Sequence, residues 1–138
     1  RRALQEGLAD GTIDCLVSGH RPLRLEEAVM EFDRRPFGAS GLETAVALAL
    51  THLVEPGHLT WNQWVSRTSW DPARIFGLPG GRIEEGAPAD LTFIDPAASW
   101  EIDVQRFRSR GRNSPFQAHR VTGRVVKTLV GGQLREAD

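Results

Sequence analysis

The chain has 138 residues, 40% of them hydrophobic and 25% charged, with a formal net charge of -1. Basic residues are scattered among acids, which argues against a nucleic-acid partner, and no apolar run approaches the roughly 20 residues of a membrane span. One cysteine, Cys15, excludes an internal disulfide, and no signal peptide is visible.

Residues 1 to about 78 read as helical around one strand. Leu4 to Ala9 is expected to close a helix that Gly11 stops. Ile13 to Ser18 then reads as a short apolar strand of the buried, parallel kind, with Cys15 as a small buried hydrophobe. Gly41 to Val54 places Leu42, Ala45, Val46, Leu48, Ala49 and Leu53 on one helical side, and Pro56-Gly57 ends it. Thr60 can cap a helix that presents Trp61, Trp64 and Val65 at core spacing. A further helix from Asp71 to Phe76 is expected to use Asp71 as its cap and Pro72 as its first residue.

From Gly81 the pattern changes to short strands and turns. Leu91 to Asp95 alternates, Asp95-Pro96 starts a turn, and Ser99 to Val104 alternates again. Gly123 to Val130 is a third strand candidate, and Gly131-Gly132 before Gln133-Leu134 reads as a hairpin turn. Arg106, Arg108, Arg110 and Arg112 form one local basic cluster, read as a solvated edge in preference to an anion site.

Several separated motifs carry a family resemblance. They are Leu16-Val17-Ser18-Gly19-His20-Arg21-Pro22-Leu23, Arg35-Pro36-Phe37-Gly38 with Gly41-Leu42-Glu43-Thr44, Asp71 to Leu78, Gly81 to Leu91, Asn113-Ser114-Pro115-Phe116, and Thr128 to Gly132. In this order they resemble the last part of the dihydroorotases of the amidohydrolase superfamily. Gly81 to Leu91 is shared by many amidohydrolases. The Pro-Phe-Gly with Gly-Leu-Glu-Thr pair and Asn113 to Phe116, similar to the Asn-Thr-Pro-Phe of dihydroorotases, favour that branch over hydantoinases and ureases.

The resemblance implies an α/β fold: the C-terminal end of a (β/α)8 TIM barrel over residues 1-78, then part of a small β-sandwich over 79-138. A complete barrel needs about 250 residues, so the sequence is expected to be the C-terminal third of a cytoplasmic protein whose N-terminal barrel half lies outside it. In isolation its last barrel strand would lack neighbours, with unpaired edge groups.

The same resemblance argues against the family's chemistry. Dihydroorotases end this strand in Asp-His-Ala-Pro-His, where the aspartate binds zinc and handles the proton of the attacking water. Here Gly19 holds the aspartate position and Leu23 that of the final histidine, so no catalytic residue and no metal ligand is assigned. Zinc is the family's cofactor, and none is expected on this chain alone. His20 reads either as a pocket contact or as a satisfied strand-end histidine, the latter favoured without the aspartate. Pro36, Phe37 and Gly38 match the loop that contacts substrate in the family and, with His20, are the substrate-binding candidates. Glu43, at a helix start, is given a structural role. His52, His58 and His119 share no metal-ligand spacing.

Three functions fit. The first is a noncatalytic dihydroorotase-like protein of pyrimidine biosynthesis, serving as a structural partner of aspartate carbamoyltransferase. The second is an active zinc-dependent dihydroorotase with a compensated site. The third is an amidohydrolase-like small-molecule binding protein, in which Leu23 would enlarge the apolar share of the pocket.

Overall fold

A computed structural model describes residues 1-136, so the last two positions of the expected 79-138 segment lie outside the described residues. The chain is mixed helix and strand. Helix α1 (Arg2–Asp10) ends at Gly11, whose φ of 90° is the left-handed conformation that glycine adopts without a Cβ penalty. The expected strand from Ile13 to Ser18 is absent. A strand needs a neighbour, and among the described residues none lies beside it; the Leu16 N–H donates instead to the Arg67 carbonyl at 2.9 Å. Only His20 makes an isolated parallel bridge, with Ala39. Cys15 is half-buried, not enclosed.

After the short helix α2 (Leu25–Ala28), a 3-10 turn (Leu42–Thr44), helix α3 (Ala45–Ala49) and a π-helical segment (Leu50–Val54) follow without a break. This stretch packs on two sides, not one. Ala49 and Leu50 join Leu8, Leu59 and Trp64 in one core, with Val46 and Leu53 packed against it. Ala47 belongs to a second core with Ile102, Val104, Phe107 and Val121, and Leu48 packs there. Leu42, expected on the apolar stripe, is exposed because the first turn is 3-10 and starts a different face.

Helix α4 (Trp61–Val65) has the expected Thr60 cap as a full capping box: the Gln63 N–H donates to Thr60 Oγ1 at 3.2 Å and the Thr60 N–H to Gln63 Oε1 at 2.8 Å. Gln63 also donates to the Ala9 carbonyl at 2.9 Å, satisfying an orphan acceptor at the end of α1. Of the expected stripe only Trp64 is buried, and Trp61 stands edge-on to it at 5.5 Å.

A second π segment (Ser66–Trp70) carries α4 directly into α5 (Asp71–Phe76), so Asp71 is not a cap. An arginine and a serine one turn earlier compete for its carboxylate: Oδ2 accepts from Ser66 Oγ at 2.7 Å and from Arg67 Nη1 at 2.6 Å. Arg67 also donates to the Leu8 carbonyl at 3.0 Å, tying α1 to this continuous helical stretch. The Ser66 hydrogen bond, opposed by burial and aided by Arg67 and Arg74, holds the Asp71 carboxyl below its ordinary value of 3.8. A carboxylate depressed on folding stabilises the fold above its unfolded value, and that contribution disappears as pH falls through the folded value. Comparison of wild type with Asp71→Asn by denaturant unfolding should show a stability gap that is constant near neutrality and shrinks below pH 3.8. A gap independent of pH would show that the carboxylate's charge is irrelevant there.

Strands β1 (Leu91–Glu101), β2 (Arg120–Val130) and β3 (Gln133–Glu136) form one antiparallel sheet in the order β1-β2-β3. The two strands expected on either side of Pro96 are thus one strand, with a register shift between Asp95 and Ser99 where the proline cannot donate to the ladder. Val104 falls outside it, in a 3-10 turn (Val104–Arg106). The strand expected from Gly123 begins earlier, at Arg120. Gly131 and Gly132, with φ of 55° and 77°, make the expected two-residue hairpin turn between paired Val130 and Gln133. Among the described residues no helix is long and apolar enough to cross a membrane.

Candidate functional site

Two of the motif segments lie side by side. Residues 18-23 run past residues 38-42, joined by the His20–Ala39 bridge and by the Arg21 N–H, which donates to the Ala39 carbonyl at 2.9 Å. The approach is close enough to demand glycine: a Cβ on Gly38 would stand 2.6 Å from the Arg21 carbonyl oxygen, and one on Gly41 would stand 2.8 Å from that of Ser18. Sequence motifs more than a dozen positions apart therefore become one surface.

Gly19 is exposed on that surface with φ of 57°, and an added Cβ would meet nothing within 4 Å. There is room for a side chain here, and none is present. His20 is half-buried and its ring is occupied. Nδ1 accepts the N–H groups of Gly41 at 3.3 Å and of Leu42 at 3.1 Å, the orphan donors that open the 3-10 turn. An accepting Nδ1 places the proton of the neutral ring on Nε2. The imidazole is thus a helix-start cap for the very segment that carries Glu43.

Glu43 itself reaches across to the later part of the chain. Its carboxylate accepts the N–H of Arg108 at 2.7 Å and that of Ser109 at 2.9 Å, fixing the loop after the second core.

Pro36 is half-buried, whereas Phe37 is 90% exposed and Gly38 is exposed. Leu23, expected to add apolar surface to a pocket, is buried with 7% exposure, so its side chain offers almost nothing to a ligand. Surface clefts occur elsewhere: one of about 180 Å³ lies between Leu50, Trp61 and Thr122, and none of His20, Pro36, Phe37 or Gly38 lines it.

Asn113, Ser40 and Gly111 form the part of the site for which the sequence suggested no role. The Asn113 carboxamide and the buried Ser40 hydroxyl hydrogen-bond each other at 3.0 Å and tie residues 21-23, 38-40 and 111-113 into one knot. The signal available was Asn113 at the head of a specific motif, a residue type able to donate and accept at once.

The donor set can be tested against a metal. Among the described residues no three His, Cys, Asp or Glu side chains gather to hold an ion, and the Nδ1 of His20 is committed to backbone N–H groups. The residues of this chain do not by themselves fit the zinc site of a metal-dependent cyclic amidase.

The sequence matches the family described as Amidohydrolase family over residues 1–135. It is 48% identical over 132 residues to the dihydroorotase of Pelotomaculum thermopropionicum, covering 96% of this chain and 31% of that protein. Identity to the dihydroorotase of Halalkalibacterium halodurans is 51% over 134 residues, covering 97% of this chain and 31% of the relative. The chain thus spans under a third of the length of these curated relatives. Among solved structures it superposes with a TM-score of 0.87 on an L-hydantoinase (dihydropyrimidinase) from Arthrobacter aurescens, 34% identical, covering 95% of this chain and 30% of that one. A D-hydantoinase (dihydropyrimidinase) from Thermus sp. gives 0.90 at 29% identity, covering 99% and 31%. The fold follows the hydantoinases and the sequence stands nearer to these dihydroorotases, and on the match over 1–135 the chain belongs to the amidohydrolase family.

Proposed function

We propose that this chain is the C-terminal part of a dihydroorotase-like protein of pyrimidine biosynthesis that has lost hydrolysis and serves as a structural partner of aspartate carbamoyltransferase in the cytoplasm. In this reading residues 1-78 close a (β/α)8 barrel, residues 79-138 contribute to a β-sandwich, and zinc and the remaining barrel belong to sequence outside this chain. What supports it is Gly19: the motif resemblance sets this residue, beside His20, at the position of the dihydroorotase aspartate, and glycine supplies neither an oxygen ligand nor a proton acceptor. Losing a general base alone costs about 100- to 10,000-fold in rate. The neighbouring imidazole does not replace it, because its accepting nitrogen caps the 3-10 turn.

The competing reading, an active enzyme with another base, is favoured by identities of 48% and 51% to proteins named dihydroorotase. Dihydroorotate hydrolysis by the full-length protein with added zinc, beside its Gly19→Asp variant, decides between them. The expected result is no turnover in either folded protein, together with co-purification of the carbamoyltransferase. Substantial wild-type turnover would refute the noncatalytic reading. Silence in wild type with recovery in the variant would mean a site disabled at this one position, its other ligands intact.

A further inference from the structure

We propose that Asn113 is a positioning residue for the candidate ligand loop: its carboxamide fixes residues 21-23 against residues 38-40 and so sets where Phe37 and Gly38 stand. The proposal rests on the reading of Phe37-Gly38 as a ligand-contacting loop. Asn113 Oδ1 accepts the Leu23 N–H at 2.9 Å and the Ser40 hydroxyl at 3.0 Å, while Nδ2 donates to the Gly38 carbonyl at 3.0 Å and towards that of Arg21 at 3.5 Å. A carboxamide has two acceptor and two donor positions, and all four have a partner, the single Ser40 hydroxyl hydrogen being shared between Asn113 Oδ1 and the Gly111 carbonyl. The Asn113 main-chain carbonyl takes a fifth bond, from the Ser40 N–H at 3.1 Å.

Between Leu23 and Gly38 the chain makes an excursion whose only regular element is α2, and Phe32 and Phe37 within it are almost fully exposed. Apolar packing therefore does little to place Phe37. The two ends of the excursion meet at the Asn113 carboxamide, which is contributed by a residue 90 positions from Leu23 and 75 from Gly38. Chemistry, not shape, is required at this position. An aspartate of the same outline would keep the Oδ1 bonds but turn a second oxygen towards the Gly38 and Arg21 carbonyls.

That contrast gives the test. In the full-length protein, Asn113→Asp and Asn113→Ala are compared with wild type by amide hydrogen exchange and by calorimetric titration with dihydroorotate. A positioning role through the donor ranks Asp at least as damaging as Ala; a role in packing ranks Ala as the worse. We expect exchange at the Leu23 and Ser40 amides to rise about tenfold or more, with β2 amides unchanged, and dihydroorotate affinity to fall about tenfold in the aspartate variant. Unchanged exchange at those two amides overturns the proposal, as does faster exchange with unchanged affinity. Acceleration that extends equally to β2 marks a folding role only and also overturns it. If the aspartate variant does not fold, an alanine variant with wild-type exchange at Leu23 and Ser40 has the same force. A wild-type protein that binds no dihydroorotate refutes the ligand reading instead, and exchange, measured without ligand, keeps the two failures apart.

Discussion

Gly123→Ala is expected to destabilise the protein by about 2-5 kcal/mol, the sum of a backbone cost and an overlap. Gly123 sits in β2 with φ of 89°, a conformation in which an L side chain is strained. Its added Cβ would also lie 2.3 Å from Cδ1 of Leu50 and 3.4 Å from Cβ and Cγ of the same residue. A leucine tip can often rotate away. Here Leu50 is 4% exposed and packed among Leu8, Ala49, Leu59 and Trp64, so moving the tip transfers the overlap to the core. Leu50→Ala should cost about 2-5 kcal/mol through its cavity. The double variant separates the two terms: alanine at 50 removes the atoms that collide, leaving only the backbone strain at 123. The expected loss in the double variant is smaller than the sum of the single losses by about 1-3 kcal/mol, read by urea unfolding of the full-length protein. Strictly additive losses would mean that Leu50 moves freely and that φ alone makes glycine necessary.

This packing also shows which parts of the fold were legible in the sequence. Features written in neighbouring residues came through: Gly11 stopping α1, the Thr60–Gln63 capping box, and the Gly131-Gly132 hairpin each depend on contacts within a few positions. Features that depend on a distant partner did not. The apolar run from Ile13 to Ser18 has strand composition, yet composition cannot supply the neighbouring strand, and the run gives Leu16 to the Arg67 carbonyl instead. Asp71 misleads for a different, local reason: before a proline it looks like a cap, yet Ser66 and Arg67, five and four positions earlier on a continuous helical stretch, hold the carboxylate. At the candidate site the motifs named His20, Phe37 and Gly38 as candidates, but the ring's role as a cap for Gly41 and Leu42 and the knot through Asn113 span 21 to 92 positions. No local pattern carries that information.

Gly111→Ala is the second large effect we expect, and it tests the rigid side of the site against its open side. A Cβ on Gly111 would stand 2.4 Å from Cβ of Pro22, 2.8 Å from Oγ of Ser40 and 3.0 Å from Oδ1 of Asn113. The Pro22 atom is part of a ring and cannot rotate clear, so relief requires the backbones of residues 22 and 111 to separate. Separation stretches the Leu23–Asn113 bond and the Ser40 hydroxyl's bond to the Gly111 carbonyl, which is 3.0 Å in the intact knot. Overlap of about 1-3 kcal/mol and two weakened hydrogen bonds of about 0.5-1.5 kcal/mol each place the expected loss near 2-6 kcal/mol. Gly19→Ala provides the contrast, because nothing lies within 4 Å of its added Cβ and only the φ of 57° opposes it. Its cost should stay near 1-2 kcal/mol. Urea unfolding of both variants in the full-length protein measures the difference. Equal losses would mean that the knot yields as easily as open solvent, whereas a larger loss at Gly111 would place the rigidity of this surface at Asn113, with Gly19 standing free beside it.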